Sequence, residues 1–425
     1  MTKPALNTRD YVERLARAVL SVRPLVDVLE SPVRIVPAMD DASIQPLLAE
    51  DVPPGNVGLA KLLETVATRA GAPHLRLHTT AADLSAIEQV VSNHLGIGAY
   101  HEIASQMPIS SLSETNETVD EVLGKSFERR YNCSRVESSD GAPLRAYSSG
   151  QRSDKAIILV SACGMPAKLC DRWMDFLGKD HFVITWESRG LFEEPSDFDA
   201  LGFDVATQAE DLFAVMDHFG VKTTHLLGLC GGAVIAVAAA AAQPARVSSM
   251  SLWHGDFDLG AGSLKTTHQR NLQALITIAA AGRAKAASVH KLFQQSGLIN
   301  LRPDLAHLIL YPYATPEMLF RYGKLNGSIM NTDISNLLER ISHPTLVVTS
   351  EDDSTAHPDG SMRVAKGISN AILHVERHGD HLSLFDAQPH ITALAARFIS
   401  RADYADRFVE SVGKHGSVVR PPGIM

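Results

Sequence analysis

The chain has few cysteines and no long apolar run. Its 425 residues include four cysteines, Cys133, Cys163, Cys170 and Cys230, with no CxxC pair and no His-paired metal spacing. We therefore expect reduced thiols, no metal site and a cytoplasmic location. The longest apolar stretch, Ala233 to Ala242, is much shorter than the ~20 residues that span a bilayer, and the polar start MTKPALNTRD lacks a secretory signal. We expect no membrane partner.

Basic charge is also scarce. The 39 Lys and Arg residues are outnumbered by 48 Asp and Glu residues, which gives a net charge of −9. This balance argues against nucleic acid as a partner, because phosphate backbones require a clustered basic surface. A composition of 45% hydrophobic and 20% charged residues is typical of a globular protein. The length predicts one large domain with an accessory part, and self-association into a homo-oligomer is left open.

The first part of the chain shows helical periodicity. Tyr11, Leu15, Val19 and Val22 follow helical spacing, and residues 1–126 are predicted to form a helical accessory domain. The polar segment Ser110–Asp120, rich in Ser, Thr, Asn and Glu, is the best linker candidate.

After residue 126 the pattern changes to short β-rich runs that alternate with amphipathic segments. Runs such as AIILV and TLVVT are apolar throughout, as in a parallel sheet covered on both faces. The predicted strands are Arg130–Val136, Leu144–Ser149, Ala156–Val160, Phe182–Trp186, Thr224–Leu227, Val247–Trp253, Thr345–Thr349 and Ile372–Val375.

This alternation predicts an α/β fold with a mostly parallel central sheet flanked by helices. One interval, 257–343, is mostly helical and lies between two predicted strands, so it is interpreted as a helical cap inserted into the sheet domain. The predicted organisation is then a core of 127–256 and 344–401, with a C-terminal tail of 402–425.

A glycine-rich turn joins one predicted strand to an alanine-rich helix in HLLGLCGGAVIAVAAAAAQ, residues 225–243. Cys230 lies at the centre of Gly228-Leu229-Cys230-Gly231-Gly232, which matches the nucleophile-elbow pattern G-x-Nu-x-G. A nucleophile on so sharp a turn needs small neighbours, and the N-terminus of the following helix favours a thiolate there. A glycine-rich turn with an inert, buried cysteine is the alternative.

From about Arg130 to about Arg401 the chain resembles the α/β-hydrolase fold superfamily, in its cysteine-nucleophile branch. In that family the nucleophile is followed along the chain by an acid and then a histidine. The resemblance implies Asp353 as the acid, with Asp352 as its rival in Ser350-Glu351-Asp352-Asp353. It implies His381 as the histidine, with His378 as the weaker option. Cys230, His381 and Asp353 are then expected to act as a catalytic triad.

Further positions follow from the same resemblance. The oxyanion hole is expected to use the backbone N–H groups of Gly231 and Met165. The run Trp186-Glu187-Ser188-Arg189-Gly190 matches a structural turn of the family. Residues that follow strands or lie in the cap are the candidates for substrate binding, namely His254, Asp256, Tyr311 and Tyr313.

The thiol restricts the chemistry. An acyl group on Cys230 is itself a thioester, so exchange with a thioester donor is nearly balanced and a second thiol can compete with water when water is excluded. This logic favours an acyltransferase similar to the thioesterase-like aminoacyltransferases of nonribosomal peptide pathways. Such an enzyme binds no cofactor of its own. It uses the phosphopantetheine arm of its acyl or peptidyl carrier protein as donor and acceptor.

The composition of the cap agrees with an acidic carrier as partner. From Leu259 to Pro303 there are six basic and no acidic residues, and a basic face would attract an acidic protein. The expected docking residues are Lys265, Arg270, Arg283, Lys285 and Lys291. Chance composition of a solvated helical face is the alternative.

Three other functions stay open at this point. Water would replace the acceptor thiol in a thioesterase or related hydrolase of acyl-carrier or acyl-coenzyme A thioesters. Polyhydroxyalkanoate synthases also use G-x-C-x-G and would polymerise hydroxyacyl groups. A non-catalytic scaffold would bind carriers without forming an acyl adduct. The triad pattern does not separate the transferase from the hydrolase, and the identity of the acyl group is not predicted.

Overall fold

The computed structural model describes residues 8–29, 31–37, 54–78, 83–100, 112–295, 302–400 and 416–419. The chain divides into two compact units. The N-terminal unit comprises residues 1–130 and 287–318, and the sheet unit comprises 131–286 and 319–425. The predicted cap, 257–343, is therefore shared between the two units. The boundaries of such a division depend on contacts between residues distant in sequence, which local patterns do not report.

The N-terminal unit is mainly helical but also contains a two-stranded parallel sheet. The two strands have only three residues each, too few to show an alternating pattern in the sequence. The elements in chain order are α1 (Thr8–Asp27), β1 (Val33–Ile35), α2 (Pro54–Arg69), β2 (Leu75–Leu77), α3 (Ala86–Leu95), α4 (Leu112–Gly124), α5 (Phe127–Arg130), most of α10 (Arg283–Gln295), α11 (Ala306–Ile309) and a 3-10 turn (Tyr311–Tyr313).

The predicted periodicity of the first helix is confirmed. Leu15, Val19 and Val22 are fully buried on one face of α1. Residues after 302 add to the interior of the same unit, since Ala306 and Leu310 pack in one cluster with Val90 of α3. This packing explains why part of the predicted cap belongs to the N-terminal unit.

The prediction of a linker at Ser110–Asp120 is wrong for the part that the structure describes, because α4 begins at Leu112. Thr115, Thr118, Val119 and Val122 are buried and follow helical spacing. Two of these four inward positions are threonines, so the polar composition concealed an amphipathic helix.

The sheet unit is built on nine strands in the order β11-β10-β9-β8-β7-β5-β6-β4-β3. The six central strands, β10-β9-β8-β7-β5-β6, run parallel to one another, whereas β3, β4 and β11 pair antiparallel at the two edges. The strands are β3 (Asn132–Glu137), β4 (Pro143–Ser149), β5 (Lys155–Val160), β6 (Val183–Trp186), β7 (Thr223–Leu229), β8 (Val247–Trp253), β9 (Thr345–Ser350), β10 (Ala371–Glu376) and β11 (Gly416–Val419).

Each predicted strand is confirmed to within two residues at either end, and the α/β fold with it. The strand that sequence reasoning missed, β11, has four residues and lies in the predicted C-terminal tail. All six residues of β9 are buried, as expected for a strand covered on both faces.

Helices of the sheet unit connect and cover these strands. They are α6 (Asp171–Leu177), α7 (Val205–Phe219), α8 (Gly232–Ala242), α9 (Thr267–Ala280), α12 (Pro316–Asn331), α13 (Ser335–Leu338), α14 (Pro358–Gly367) and α15 (Pro389–Ile399). The division between the units falls inside α10 and α12. Within the ranges that the structure describes, no helix combines the length and apolar character needed to cross a membrane.

The turn after β6 is held by a buried ion pair. Arg189 has 1% of its side chain exposed, and its Nε donates to the Asp211 carboxylate over 2.8 Å. The same guanidinium also binds Asp140, the Ser138 hydroxyl and the Gly202 carbonyl. The predicted structural role of this turn therefore has a direct physical basis.

We predict that Arg189→Ala lowers the free energy of unfolding by about 3–5 kcal/mol, because the Asp211 carboxylate would stay buried without its partner. Lys222→Ala serves as the control. Lys222 pairs with Asp154 on the surface, with 79% of its side chain exposed, and its loss should leave stability unchanged. Urea denaturation of both variants is the measurement, and equal midpoints would contradict the prediction.

Candidate active site

The turn between β7 and α8 is shaped by steric limits. Cys230 has φ +54°, a left-handed conformation that non-glycine residues seldom adopt. A Cβ on Gly232 would lie 2.0 Å from the carbonyl oxygen of Val160, and one on Gly228 would lie 2.6 Å from the Cα of Ala233. Both positions therefore require glycine, and the G-x-C-x-G spacing follows from the close approach of backbone to backbone.

Cys230 lies at the carboxyl end of the sheet. Its N–H donates to the carbonyl oxygen of Trp253 in the neighbouring strand over 3.0 Å, and the residue is partly exposed. The indole of Trp253 is fully buried and packs edge-on against Trp173, with ring centroids 5.3 Å apart. Trp173 in turn donates its indole N–H to the carbonyl of Leu384 over 2.8 Å. The backbone of Cys230 is thus hydrogen-bonded to a residue whose side chain packs in the buried aromatic core.

Two other thiols in the sheet unit are enclosed. Burial raises the pKa of Cys163 to about 12 and that of Cys170 to about 11. These thiols stay protonated at neutral pH, so they are packed groups rather than competing nucleophiles. Cys163 contacts the Ser188 hydroxyl, whose oxygen accepts the N–H of Gly164 over 2.9 Å.

The structure brings His381 and Asp353 together. Nδ1 of His381 lies 2.9 Å from Oδ2 of Asp353, and both residues are buried. The other carboxylate oxygen, Oδ1, accepts the backbone N–H groups of Thr355 and Ala356 at 2.9 and 2.8 Å. The carboxylate is therefore fixed in one orientation by the turn that follows β9.

The rival residues form a separate pair on the surface. Nδ1 of His378 lies 3.0 Å from Oδ2 of Asp352, and the side chain of His378 is 90% exposed. The structure therefore separates the two pairs: Asp353 and His381 are buried together, whereas Asp352 and His378 lie on the surface.

His254 shares the Asp353 carboxylate with His381. Its Nδ1 lies 2.8 Å from Oδ2, the same oxygen that His381 contacts, and the two imidazole rings are nearly perpendicular. Sequence reasoning placed His254 among the substrate-binding residues, whereas its side chain contacts the acid. Its position directly after β8, beside the strand of the cysteine, was the available signal.

The charges of this cluster reinforce one another. Burial would raise the pKa of Asp353, but hydrogen bonds from His254 and His381 outweigh it and hold that pKa well below its usual range. Burial would lower the pKa of His381, but interactions with Cys230 and with the Asp353 carboxylate outweigh it and hold that pKa well above its usual range.

The second ring nitrogen of His381, Nε2, is enclosed and has no nitrogen or oxygen partner among the residues described. Because an ionised carboxylate only accepts hydrogen bonds, Nδ1 of His381 must carry its proton when the ring is neutral. Nε2 is then the basic nitrogen, with the Cys230 sulfur in its immediate electrostatic environment.

Two histidines and a carboxylate form the one group within the described ranges whose ligand atoms are close enough for a metal ion, within 4.8 Å of one another. Both Nδ1 atoms, however, lie at ordinary hydrogen-bond distances from one carboxylate oxygen. A bound metal would require both nitrogens to lose their protons. We assign these contacts as hydrogen bonds and assign no metal here.

The predicted oxyanion donors differ in their environment. Gly231 is the N-cap residue of α8, where backbone N–H groups have no acceptor within the helix. The N–H of Met165 donates to the carbonyl of Ala162 over 3.3 Å, a long bond within the loop after β5. Gly164 has φ +75°, which lets this loop turn beside the elbow. Both stay predictions as oxyanion ligands.

One helix that sequence reasoning did not connect with the site forms a wall beside it. A Cβ built on Gly231 would lie nearest to the side chains of Ile329 and Asn326 in α12, at 3.4 and 3.5 Å. Tyr322, one turn earlier, covers Gly164 so closely that a Cβ there would lie 2.7 Å from the ring. These residues have the spacing i, i+4 and i+7 and so share one face of the helix. The sequence did not indicate that this face packs against Gly164 and Gly231.

The remaining substrate candidates have different surroundings. Asp256 is partly buried, accepts a 2.6 Å hydrogen bond from Gln269, and interacts electrostatically with His381. Burial raises the pKa of the Asp256 carboxyl. Tyr311 and Tyr313 belong to the N-terminal unit, where Tyr313 packs edge-on against Phe293.

The basic residues predicted to dock a carrier are only partly available. Lys265 binds Asp258 over 2.8 Å, and Arg283 binds Asp199 over 2.9 Å and stacks on Phe320. The others are exposed, namely Arg270, Lys285 and Lys291. The local charge is thus more balanced in the structure than along the sequence.

The chain belongs to the α/β hydrolase fold family. The sequence model of that family matches residues 155–388, more than half of the chain, and leaves 1–154 outside. Enzymes of the α/β hydrolase type are therefore the class in which this protein falls.

Particular relatives agree with this assignment. A protein of Variovorax paradoxus (strain S110) that bears the name carbamate hydrolase RutD is 26% identical over 249 residues, which cover 56% of this chain and 89% of the relative. Among solved structures, an esterase from Exiguobacterium antarcticum has a TM-score of 0.52 at 16% identity and covers 63% of this chain and 99% of its own. The enol-lactonase from Burkholderia xenovorans LB400 has a TM-score of 0.51 at 17% identity, with 63% and 100% covered. The structural likenesses show the fold.

We predict that iodoacetamide alkylates Cys230 rapidly near neutral pH and that His381→Ala slows this reaction about tenfold or more, because an isolated thiol is only a few per cent ionised there. The pKa of His381 is raised, so its promoting effect should persist below that pKa and disappear as the pH rises through it. Peptide mapping by mass spectrometry follows the alkylation across the pH range.

His378→Ala is the matched control, since that imidazole is exposed and paired with Asp352. It should leave both the rate and its pH dependence unchanged. Equal effects of His381→Ala and His378→Ala on the alkylation rate would contradict a specific interaction between His381 and the Cys230 thiol.

Proposed function

We propose that this protein cleaves an activated acyl compound through a covalent acyl thioester on Cys230. The observation that carries the proposal is the arrangement of Cys230 on a strained turn, with the buried His381–Asp353 pair in its electrostatic environment. A thiol, a basic nitrogen and a carboxylate that orients the imidazole are the groups that nucleophilic acyl transfer requires.

The first half-reaction transfers the acyl group to the enzyme. Nε2 of His381 takes up the proton of the Cys230 thiol, and the resulting thiolate sulfur bonds to the carbonyl carbon. The bond from that carbon to the leaving group breaks, and the leaving thiolate or alkoxide takes the proton from His381. The N–H of Gly231, with Met165 as the second donor, would stabilise the negative oxygen of the intermediate.

Hydrolysis is the second half-reaction that the comparisons favour. The named relatives and structural neighbours are hydrolases, including an esterase and an enol-lactonase. Water would give one proton to His381 and add to the acyl carbon. The carbon–sulfur bond would then break, the proton would return to sulfur, and a carboxylic acid would leave. We propose thioesters of carrier proteins or coenzyme A as the substrate class.

Transfer to a second thiol is the other candidate, and the identity of the nucleophile favours it. The acyl thioester on Cys230 has nearly the same energy as a thioester donor, so an acceptor thiol can take the group with little loss of free energy. An aminoacyl or small acyl group would then pass between the phosphopantetheine thiols of two carriers. A polymerase would give products with several acyl units, and a scaffold would give no acyl adduct.

One experiment separates these functions. The protein is mixed with acyl and aminoacyl thioesters of N-acetylcysteamine, and its intact mass is followed in the presence and absence of an acceptor thiol such as free pantetheine. A mass increase that Cys230→Ala abolishes supports the covalent step, and its absence with every donor contradicts it. Free acid as the main product in excess acceptor indicates a hydrolase, and acylated pantetheine indicates a transferase. A carbamate belongs in the donor panel because of the name of the relative.

We predict that Asp353→Asn lowers the acylation rate roughly a thousandfold or more, because an amide in place of the acceptor oxygen favours the wrong tautomer of His381. Asp352→Asn is the control, since the Asp352 carboxylate pairs with the exposed imidazole of His378. Stopped-flow release of the donor thiol measures both rates. Comparable losses of acylation rate in the two variants would contradict the assignment of Asp353 as the acid.

We further propose that an acidic carrier is attracted by the exposed basic residues of the predicted docking set that lie in the sheet unit, Arg270 and Lys285. Acylation from a carrier-bound donor should then slow as salt is raised, since electrostatic steering is screened. Acylation from the uncharged N-acetylcysteamine thioester should not. The same salt dependence with both donors would argue against electrostatic docking.

A further inference from the structure

One carboxylate oxygen in the sheet unit accepts hydrogen bonds from two imidazoles. Oδ2 of Asp353 lies 2.8 Å from Nδ1 of His254 and 2.9 Å from Nδ1 of His381, and all three residues are buried. The usual acid–histidine pair needs only one of these contacts. The second histidine therefore requires its own explanation.

His254 is held in place at a conformational cost. Its φ of +47° lies in the left-handed region, which seldom accommodates residues with a side chain. Its N–H donates to the carbonyl of Val348 in β9 over 2.8 Å, which fixes the backbone beside the strand that leads to Asp353. The imidazole contacts Oδ2 of the carboxylate, whereas the turn residues Thr355 and Ala356 donate to Oδ1.

The proton positions follow from the acceptor. The ionised Asp353 carboxylate only accepts hydrogen bonds, so both Nδ1 atoms must be N–H donors. With the two backbone N–H groups on Oδ1, the carboxylate then accepts four hydrogen bonds. Because His254 draws on the same oxygen as His381, it reduces the negative charge available to the His381 imidazolium.

We propose that His254 is a positioning residue for the His381–Asp353 pair, which fixes the rotation of the carboxylate and limits how strongly it holds the proton on His381. The inference rests on the proposed function of Cys230. It gives the site a way to keep His381 able to release its proton to a leaving group, where an unshared buried carboxylate would retain it.

Other charged groups act on the same cluster. Cys230 in the elbow interacts with His381, and so do Asp256 after β8 and His268 of α9. His268 also interacts with Asp353, and Lys265 acts on Asp256. These groups are unchanged in a His254 variant, so a shift between variants reports the missing hydrogen bond.

The test compares His254→Leu with His254→Asn by the pH dependence of Cys230 alkylation. Leucine removes the donor. Asparagine keeps an amide N–H near the position of Nδ1 and tolerates left-handed φ. In the leucine variant the alkaline limb, where His381 loses its proton, should move upward by about half a pH unit or more. The asparagine variant should restore the limb of the unmodified protein.

A structural role alone would lower the unfolding temperature without moving this limb, so an unmoved limb in a folded leucine variant overturns the proposal. An equal shift in the asparagine variant overturns it as well, because packing rather than the donor would be responsible. If the leucine variant does not fold, proton NMR of the unmodified protein decides. Two low-field imidazole N–H resonances, one of them lost in His254→Asn, support the shared oxygen, and a single resonance overturns it.

Alkylation requires no acyl donor, so this result is independent of whether Cys230 carries acyl groups. Failure of the acylation experiment with a normal His254 effect would leave the positioning role intact and remove the proposed function. A normal acylation with no His254 effect would do the reverse.

Discussion

The close approach of two backbone segments at the end of β7 determines the rest of the site. The Cα of Gly232 stands so near the carbonyl of Val160 that no side chain fits between them, and Cys230, two residues earlier, has a left-handed conformation. Cys230 lies just before Gly231, the N-cap residue of α8, and the first N–H groups of that helix have no acceptor within it. In the proposed function, a nucleophile and a site for negative charge would both be formed by this one tight turn.

Most of the sheet was predictable because its strands are long enough to show continuous apolar runs, and the elbow was predictable because its glycines are sterically required. The order of acid and histidine along the chain then pointed to Asp353 and His381, which the structure brings together. The contact of His254 with Asp353 was only weakly indicated by its position after β8, since a histidine after a strand has no distinctive spacing. The helix at Leu112–Gly124 was missed because threonines occupy inward positions, and the wall formed by α12 depends on long-range packing.

The proposed reaction places two opposite demands on one imidazole. His381 would attract the proton of a thiol, which a neighbouring carboxylate promotes, and would also release it to a leaving group, which the same carboxylate opposes. For exchange between thiols the two steps are chemically alike, so an intermediate proton affinity serves both. For hydrolysis, activation of water makes the stronger demand on the base. The sharing of the Asp353 carboxylate by two histidines bears on this balance, whichever acceptor is used.

The packed indoles of Trp173 and Trp253 lie close enough to the site for their fluorescence to report on it. The carbonyl of Trp253 accepts the N–H of the cysteine, and the indole N–H of Trp173 reaches the carbonyl of Leu384, three residues beyond His381. Both rings are fully enclosed, so their emission senses local electric fields rather than the solvent. In the proposed reaction, acylation would convert a Cys230 thiolate beside a His381 imidazolium into a neutral adduct and would remove a charge pair from this neighbourhood. Intrinsic fluorescence should therefore follow the occupancy of the sulfur in real time, without an attached dye.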